Sequence, residues 1–112
     1  MPHKERLLNN NELIVMFAIQ RRSRDAYGVS IRDEIESRTS RKMTFGVLYT
    51  ILTRLEQEGL LKSRDGEATP ERGGRAKKYF SITGKGQSAM NMSLADLDRM
   101  RPGNVAIGAA HA

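Results

Sequence analysis

The chain has 112 residues, which is room for one compact domain and little besides. Three Tyr, three Phe and no Trp leave the core to Leu, Ile, Val and Met, and 19 basic against 13 acidic residues give a charge of +6, which suits polyanionic partners. The absence of cysteine excludes disulfides and thiolate metal sites, and it fits a reducing compartment. No apolar run approaches the roughly 20 residues needed to cross a bilayer. Met1 to Asn11 is polar and has no signal-peptide core, so the cytoplasm is the expected location and a membrane partner is not expected.

Taken in chain order, residues 1–10 read as a polar N-terminal arm. The first helix follows in NNNELIVMFAIQRR, with Asn9 or Asn11 as N-cap and Glu12 well placed in the first turn. Leu13 to Ile19 are all apolar, so this helix is greasy on every side. A tiny domain is not expected to bury such a helix alone, and part of it is expected to meet another subunit. A second helix spans about Tyr27 to Arg38. Tyr27, Ile31 and Ile35 form its apolar stripe, and Arg32, Asp33, Glu34 and Glu36 face water.

The third helix has the clearest boundaries. Thr44 is its N-cap, and Met43 is set to pack on Leu48 as a hydrophobic staple. Phe45, Leu48, Tyr49, Leu52 and Leu55 are expected to face inward. Gly59 stops the helix, and Leu60 folds back on Leu55. Beyond Gly59 the period shortens. LLKSRDGE and RAKKYFSIT read as two strands joined by ATPERGG, whose Pro70, Gly73 and Gly74 mark a hairpin tip. Thr83 then caps a last helix in which Met90, Leu94, Leu97 and Met100 or Arg101 follow an approximate heptad. Past Pro102 a frayed tail is expected. The fold class is therefore mainly α with a small β-hairpin. Residues 11–82 form a winged helix-turn-helix, residues 83–101 an oligomerisation helix and residues 102–112 a tail.

Catalytic chemistry finds no support in these residues. His3 and His111 lie near the two ends, away from any acid or nucleophile. Gly73 and Gly74 lack the spacing of a phosphate loop, and Asp65, Glu67 and Glu71 are interrupted by Lys62, Arg64 and Arg72, as a solvated wing would be. No cofactor or metal is expected. The outward face of the third helix is different. Gly46, Thr50, Thr53, Arg54 and Gln57 would point away from the core, and small residues permit close approach to a major-groove floor. The helix N-terminus at Thr44 offers amides to a phosphate. Arg41 and Lys42 precede this helix, and Arg72, Arg75 and Lys77 sit on the wing, so the charges fall on one side of it. An ordinary solvated face would carry more charge than Gly-Thr-Thr. Double-stranded DNA is the partner these residues suggest, and a winged helix serving RNA or a protein partner is the alternative.

YGVSIRDEIESRT, FGVLYTILTRLEQEGLLKS and GGRAKKYFSITGKG together resemble the PadR family of transcriptional regulators, over roughly Leu13 to Met100. The resemblance implies a dimeric winged-helix repressor of a detoxification or transport gene, in some members released by a small molecule. It also implies that Tyr49 contacts the DNA backbone from the recognition helix. The short C-terminal region implies the compact branch, with one dimerisation helix. Val47 stands where the family commonly has Ser, Thr50 where it has Pro, and Phe80 where it has a wing Tyr. These departures touch the operator sequence and leave the fold intact.

A homodimer is expected from the two unusual helices. Leu13, Val15, Met16 and Phe17 of the first and Met90, Leu94 and Leu97 of the last are the expected interface, across a two-fold axis that selects a palindromic operator. Any small-molecule inducer is expected between the subunits, lined by Met16, Phe17, Met90 and Met92.

Overall fold

A computed structural model of the chain describes residues 6–66 and 77–103. Four helices, α1 (Asn10–Arg22), α2 (Gly28–Arg38), α3 (Phe45–Gln57) and α4 (Gly84–Met100), accompany two strands, β1 (Leu61–Asp65) and β2 (Lys78–Ile82). The strands pair antiparallel with Leu61 opposite Ile82, Ser63 opposite Phe80 and Asp65 opposite Lys78. This is the mainly helical winged-helix order expected from the sequence. The hairpin tip, with Pro70, Gly73 and Gly74, lies outside the described residues, as do both histidines and residues 104–112.

α1 starts at a capping box. The Asn9 side chain accepts from the Glu12 amide and Glu12 Oε1 accepts from the Asn9 amide, both at 2.9 Å, so two end donors of the helix are satisfied. The helix is not too greasy for one small domain. Leu13, Val15, Met16, Ala18 and Ile19 are all buried within the single chain, and Phe17 is the large apolar side chain of this run left exposed. The burial comes from neighbours on several sides, because α2, α3 and β2 all pack on α1, and Leu8 of the segment before it joins the core. Leu8 also ties that segment down, donating its amide to Ser93 Oγ at 2.7 Å. Residues 6–9 are thus packed structure rather than a loose arm.

After α1 a short 3₁₀ turn (Ser23–Asp25) leads to Ala26, whose carbonyl accepts from the Phe80 amide at 2.8 Å. Tyr27 bridges to Tyr79, so the approach to α2 lies beside β2 as a vestigial third strand. In α2, Ile31 and Ile35 are buried as expected, while Tyr27 is only half-buried.

α3 begins at Thr44, whose hydroxyl accepts from the Val47 amide at 3.2 Å. Met43 and Leu48 share the core, as a staple requires. The inward face is Leu48, Ile51, Leu52 and Leu55. Phe45 and Tyr49, expected inward, are exposed instead. They lie on one flank of the helix beside buried Leu48, and Ile51 on the opposite flank completes the inward face. The helix ends as expected: Gly59 has φ +78°, its amide donates to Glu56 O at 3.0 Å, and the Leu60 amide donates to Leu55 O at 2.9 Å. That pair of bonds defines a Schellman turn.

α4 is rooted on this turn. Thr83 Oγ1 accepts from the Gly86 amide at 3.0 Å and donates to Gly59 O at 2.7 Å. The Thr83 amide donates to Leu60 O at 3.2 Å, and Lys85 Nζ to Glu58 O at 3.1 Å. Ala89, Met90 and Ser93 are buried beyond it. Met90 therefore belongs to the core of one chain, whereas exposure rises along the expected heptad from Leu94 through Leu97 (56%) to Met100 (80%).

The root leaves no space at Gly86, where a Cβ would lie 2.1 Å from the Leu60 carbonyl oxygen. Backbone cannot swing aside as a side-chain tip can. Gly86→Ala is expected to lower stability by about 1–3 kcal/mol, as other overpacked sites do, measured by thermal or urea unfolding. An unchanged melting temperature would mean that the root is loose.

Candidate nucleic-acid interface

The side of α3 away from the core is continuous and exposed. Thr44, Gly46, Val47, Tyr49, Thr50, Thr53, Arg54 and Gln57 all lie on it, preceded by exposed Arg41 and Lys42. Tyr49, Thr50, Thr53, Arg54 and Gln57 line a shallow, open depression. Thr50 Oγ1 donates to Gly46 O at 2.8 Å, so its proton is committed to the helix. What remains outward is a methyl group and oxygen lone pairs, suited to a thymine methyl or a base amino donor. Arg41 turns toward α1, with Nη1 2.9 Å from Asn11 Oδ1.

An aromatic ladder joins α3 to α2. The Phe45 and Tyr49 rings stack at 6.1 Å, and the Arg32 guanidinium lies 4.5 Å over Phe45. Tyr49 then reaches across to the first residue of α2. A Cβ on Gly28 would stand 1.9 Å from the Tyr49 hydroxyl, so the glycine makes the space in which that hydroxyl sits. The Tyr27-Gly28 and Leu48-Tyr49 pairs of the sequence thus meet in space.

The root of the wing is built the same way. Tyr79 meets Tyr27 edge-on at 5.5 Å, with the Arg64 guanidinium 4.6 Å over its ring. Lys77 Nζ lies 4.3 Å over the Tyr27 ring, which seats this lysine beside the start of α2. Arg72 and Arg75 lie outside the described residues. Phe80, at the wing position, is buried in the core.

The strongest electrostatic feature was not legible in the chain. Glu12 is 1% exposed, and both its oxygens are engaged, by Arg6 from the segment before α1 and by Arg54 from α3. Arg6 grips it twice, at 2.8 Å to Oε1 and 2.6 Å to Oε2, and Arg54 Nη1 approaches Oε2 at 3.3 Å. Arg6 also pairs with Glu58 at 2.8 Å. The Arg6 hydrogen bonds hold the Glu12 carboxyl below the usual carboxylate range, and the Asn9 amide and Arg54 add to this against the opposing effect of burial. The sequence showed the capping position of Glu12; nothing local marked Arg6 and Arg54 as its partners. Glu34 is likewise lowered, chiefly by Arg38 with Arg22 assisting, and Glu56 chiefly by the Ser63 hydroxyl.

Of the residues expected at a dimer interface, Leu13, Val15, Met16 and Met90 are core, and Phe17, Leu94 and Leu97 are exposed. The same burial removes Met16 and Met90 from any intersubunit pocket, leaving Phe17 and Met92 at the surface. Among the described residues no helix is long and apolar enough to cross a membrane.

A three-helix core with a helix presented for docking and a hairpin beside it is the framework of a winged-helix transcriptional regulator. The model of the transcriptional regulator PadR-like family matches residues 15–92, and the chain belongs to that family. Its members are DNA-binding regulators and generally not enzymes. The fold is similar to the X-ray structure of a PadR-like transcription factor from Bacteroides fragilis, with 28% identity, TM-score 0.69 and coverage of 80% of this chain and 82% of the other. It is also similar to a PadR family regulator from Clostridium difficile, at 20% identity and TM-score 0.64 over 79% of this chain and 86% of that one. A transcriptional regulator from Clostridium thermocellum matches at 24% identity and TM-score 0.64, covering 80% and 82% of the two chains. A comparison with curated protein sequences gives no significant match.

The Glu12 cluster carries a pH dependence of stability. A carboxyl whose folded-state pKa is depressed stabilises the fold above its ordinary pKa, and that contribution is lost as pH falls toward the folded value. The stability gap between the parent protein and Glu12→Gln is therefore expected to be full at neutral pH and to close below about pH 4.3. Urea unfolding from pH 7 to pH 3 checks this, and a gap independent of pH would contradict it.

Proposed function

We propose that this chain is a cytoplasmic, dimeric repressor that recognises a palindromic operator by laying α3 in the major groove. The observation that carries the reading is the exposed face of α3, where small and hydroxyl residues lie between Arg41 and Lys42 at one end and Arg54 at the other. Thr50 and Thr53 read base edges and Gly46 permits close approach, while Arg41 and Lys42 meet phosphates beside the amides that Thr44 caps. Tyr49, held against Gly28, offers its hydroxyl at the junction of α2 and α3, where a backbone phosphate would pass. Lys77, Arg72 and Arg75 of the wing add contacts to the flanking backbone or minor groove.

Selection of preferred sites from random duplex DNA tests this reading, with duplex RNA as competitor in the same gel-shift assay. Thr50→Ala is expected to change which sites are preferred. Lys77→Ala is expected to weaken all duplexes alike and to flatten the log K against log salt slope by about 1. If the Thr50 variant loses affinity uniformly with preference unchanged, α3 does not lie in the groove as described.

The dimer rests on the outer half of α4. Leu94, Leu97 and Met100 form an exposed apolar stripe on a helix that the winged core covers only at its root, and Phe17 of α1 is exposed as well. Joining two copies there buries the stripe and sets two α3 helices about 34–36 Å apart, one turn of DNA. Replacing Leu94 and Leu97 together by Glu puts charge into that seam, so monomers are expected in sedimentation, with far weaker operator binding. A parent protein that sediments as a monomer at micromolar concentration would overturn the dimer, as would a double variant that still dimerises.

A further inference from the structure

We propose that Glu12, although buried in α1 behind the docking face, is a positioning residue that orients Arg54 of α3 toward the DNA. The inference rests on α3 being the DNA-reading helix and adds a residue that touches no DNA. Four bonds fill the Glu12 carboxylate: Arg6 Nη1 and the Asn9 amide on Oε1, Arg6 Nη2 and Arg54 Nη1 on Oε2. The three bonds to Arg6 and Asn9 are 2.6–2.9 Å long, and the Arg54 contact is 3.3 Å. Arg6 is thus the principal counter-charge, and Arg54 is the outer partner.

A guanidinium carries five N–H donors in a rigid fork. Glu12 takes one of these through Nη1, while the Arg54 side chain stays 45% exposed beside Thr50, Thr53 and Gln57. Tethering one edge of the fork from behind fixes the plane of the other. An untethered arginine on a helix surface would instead lose side-chain entropy on forming the same bond to DNA. Glu12 is itself fixed by the α1 capping box and by Arg6, so the tether has a rigid anchor.

A double-mutant cycle tests the assignment on the full-length protein, with a duplex chosen by site selection. Glu12→Gln, Arg54→Ala and the double variant are titrated across a salt series, well below the melting temperature of each. Glu12→Gln and Arg54→Ala are each expected to weaken binding on the order of tenfold, with the double variant no weaker than Arg54→Ala alone. Loss of preference at one base pair assigns the Arg54 acceptor to a base edge, and a uniform loss with a salt slope flatter by about 1 assigns it to a phosphate; either supports the proposal. If Glu12→Gln weakens binding equally in the parent and Arg54→Ala backgrounds, or lowers the melting temperature without weakening binding, Glu12 only supports the fold and the proposal fails.

Arg54→Lys keeps the charge and leaves the Arg6–Glu12 pair intact, so it tests the premise that Arg54 meets DNA through its fork even where Glu12→Gln does not fold. It is expected to bind on the order of tenfold more weakly, because an ammonium has no second edge to present; parent-like binding would overturn the proposal. A parent protein that selects no duplex would remove the DNA reading itself. Selection that responds to Thr50 but not to Arg54 would remove only this inference.

Discussion

The turn at Gly59 and Leu60 is where the halves of this molecule are joined. Gly59 takes the positive φ that closes α3, and Leu60 enters the core one residue before β1 begins. The carbonyls of Glu58, Gly59 and Leu60, at the turn itself, then receive the start of α4 through Lys85 and Thr83. A side chain at position 86 would drive these segments apart, so the glycine there matters for what it lacks. One turn thus sets the end of the presented helix, the entry to the wing and the departure of the C-terminal helix.

Around the presented face, charge and aromatic surface are arranged so that few long side chains hang free. Arg32 lies on Phe45, Arg64 on Tyr79, Lys77 on Tyr27, and Arg54 against Glu12. Each cation has part of its conformational freedom removed before any polyanion arrives. Those on the rings also retain their charge, because an aromatic face attracts a cation without neutralising it. The rings come from three places: the entry to α2, the first turns of α3 and β2. Their contacts hold the helix pair and the wing root in one relative position.

Much of this fold was legible because its punctuation is local. Thr44 and Gly59 bound α3 by capping chemistry that spans only a few residues, and Thr83 does the same for α4. The change from helical to alternating period after Gly59 marked the hairpin. The misreadings arose where the answer depends on packing at a distance. Leu13 to Ile19 looked too apolar for one chain because the sequence does not show how many elements converge on α1. Met90 looked like a seam residue because a heptad does not reveal where the domain surface falls along it. Phe45 and Tyr49 fit the inward spacing, yet they fall on the flank of the stripe formed by Leu48, Leu52 and Leu55 and stay exposed. The α3 face was legible as to which residues share it. The Glu12 cluster was not, since Arg6, Glu12 and Arg54 come together only when the segment before α1 folds across the C-terminal half of α3.

The root of α4 also has a mechanical meaning. α4 is held from Thr83 through Ser93, and its last seven residues project about 10 Å beyond that hold. In two copies joined through these ends, the direction in which α4 leaves the core would fix how far each α3 stands from the seam. Successive major grooves of a duplex recur at a fixed pitch, so a change in that direction would take one helix out of register while the other remains seated. In such a pair α4 would act as a gauge, its angle to the core selecting the spacing of half-sites that the two chains can span.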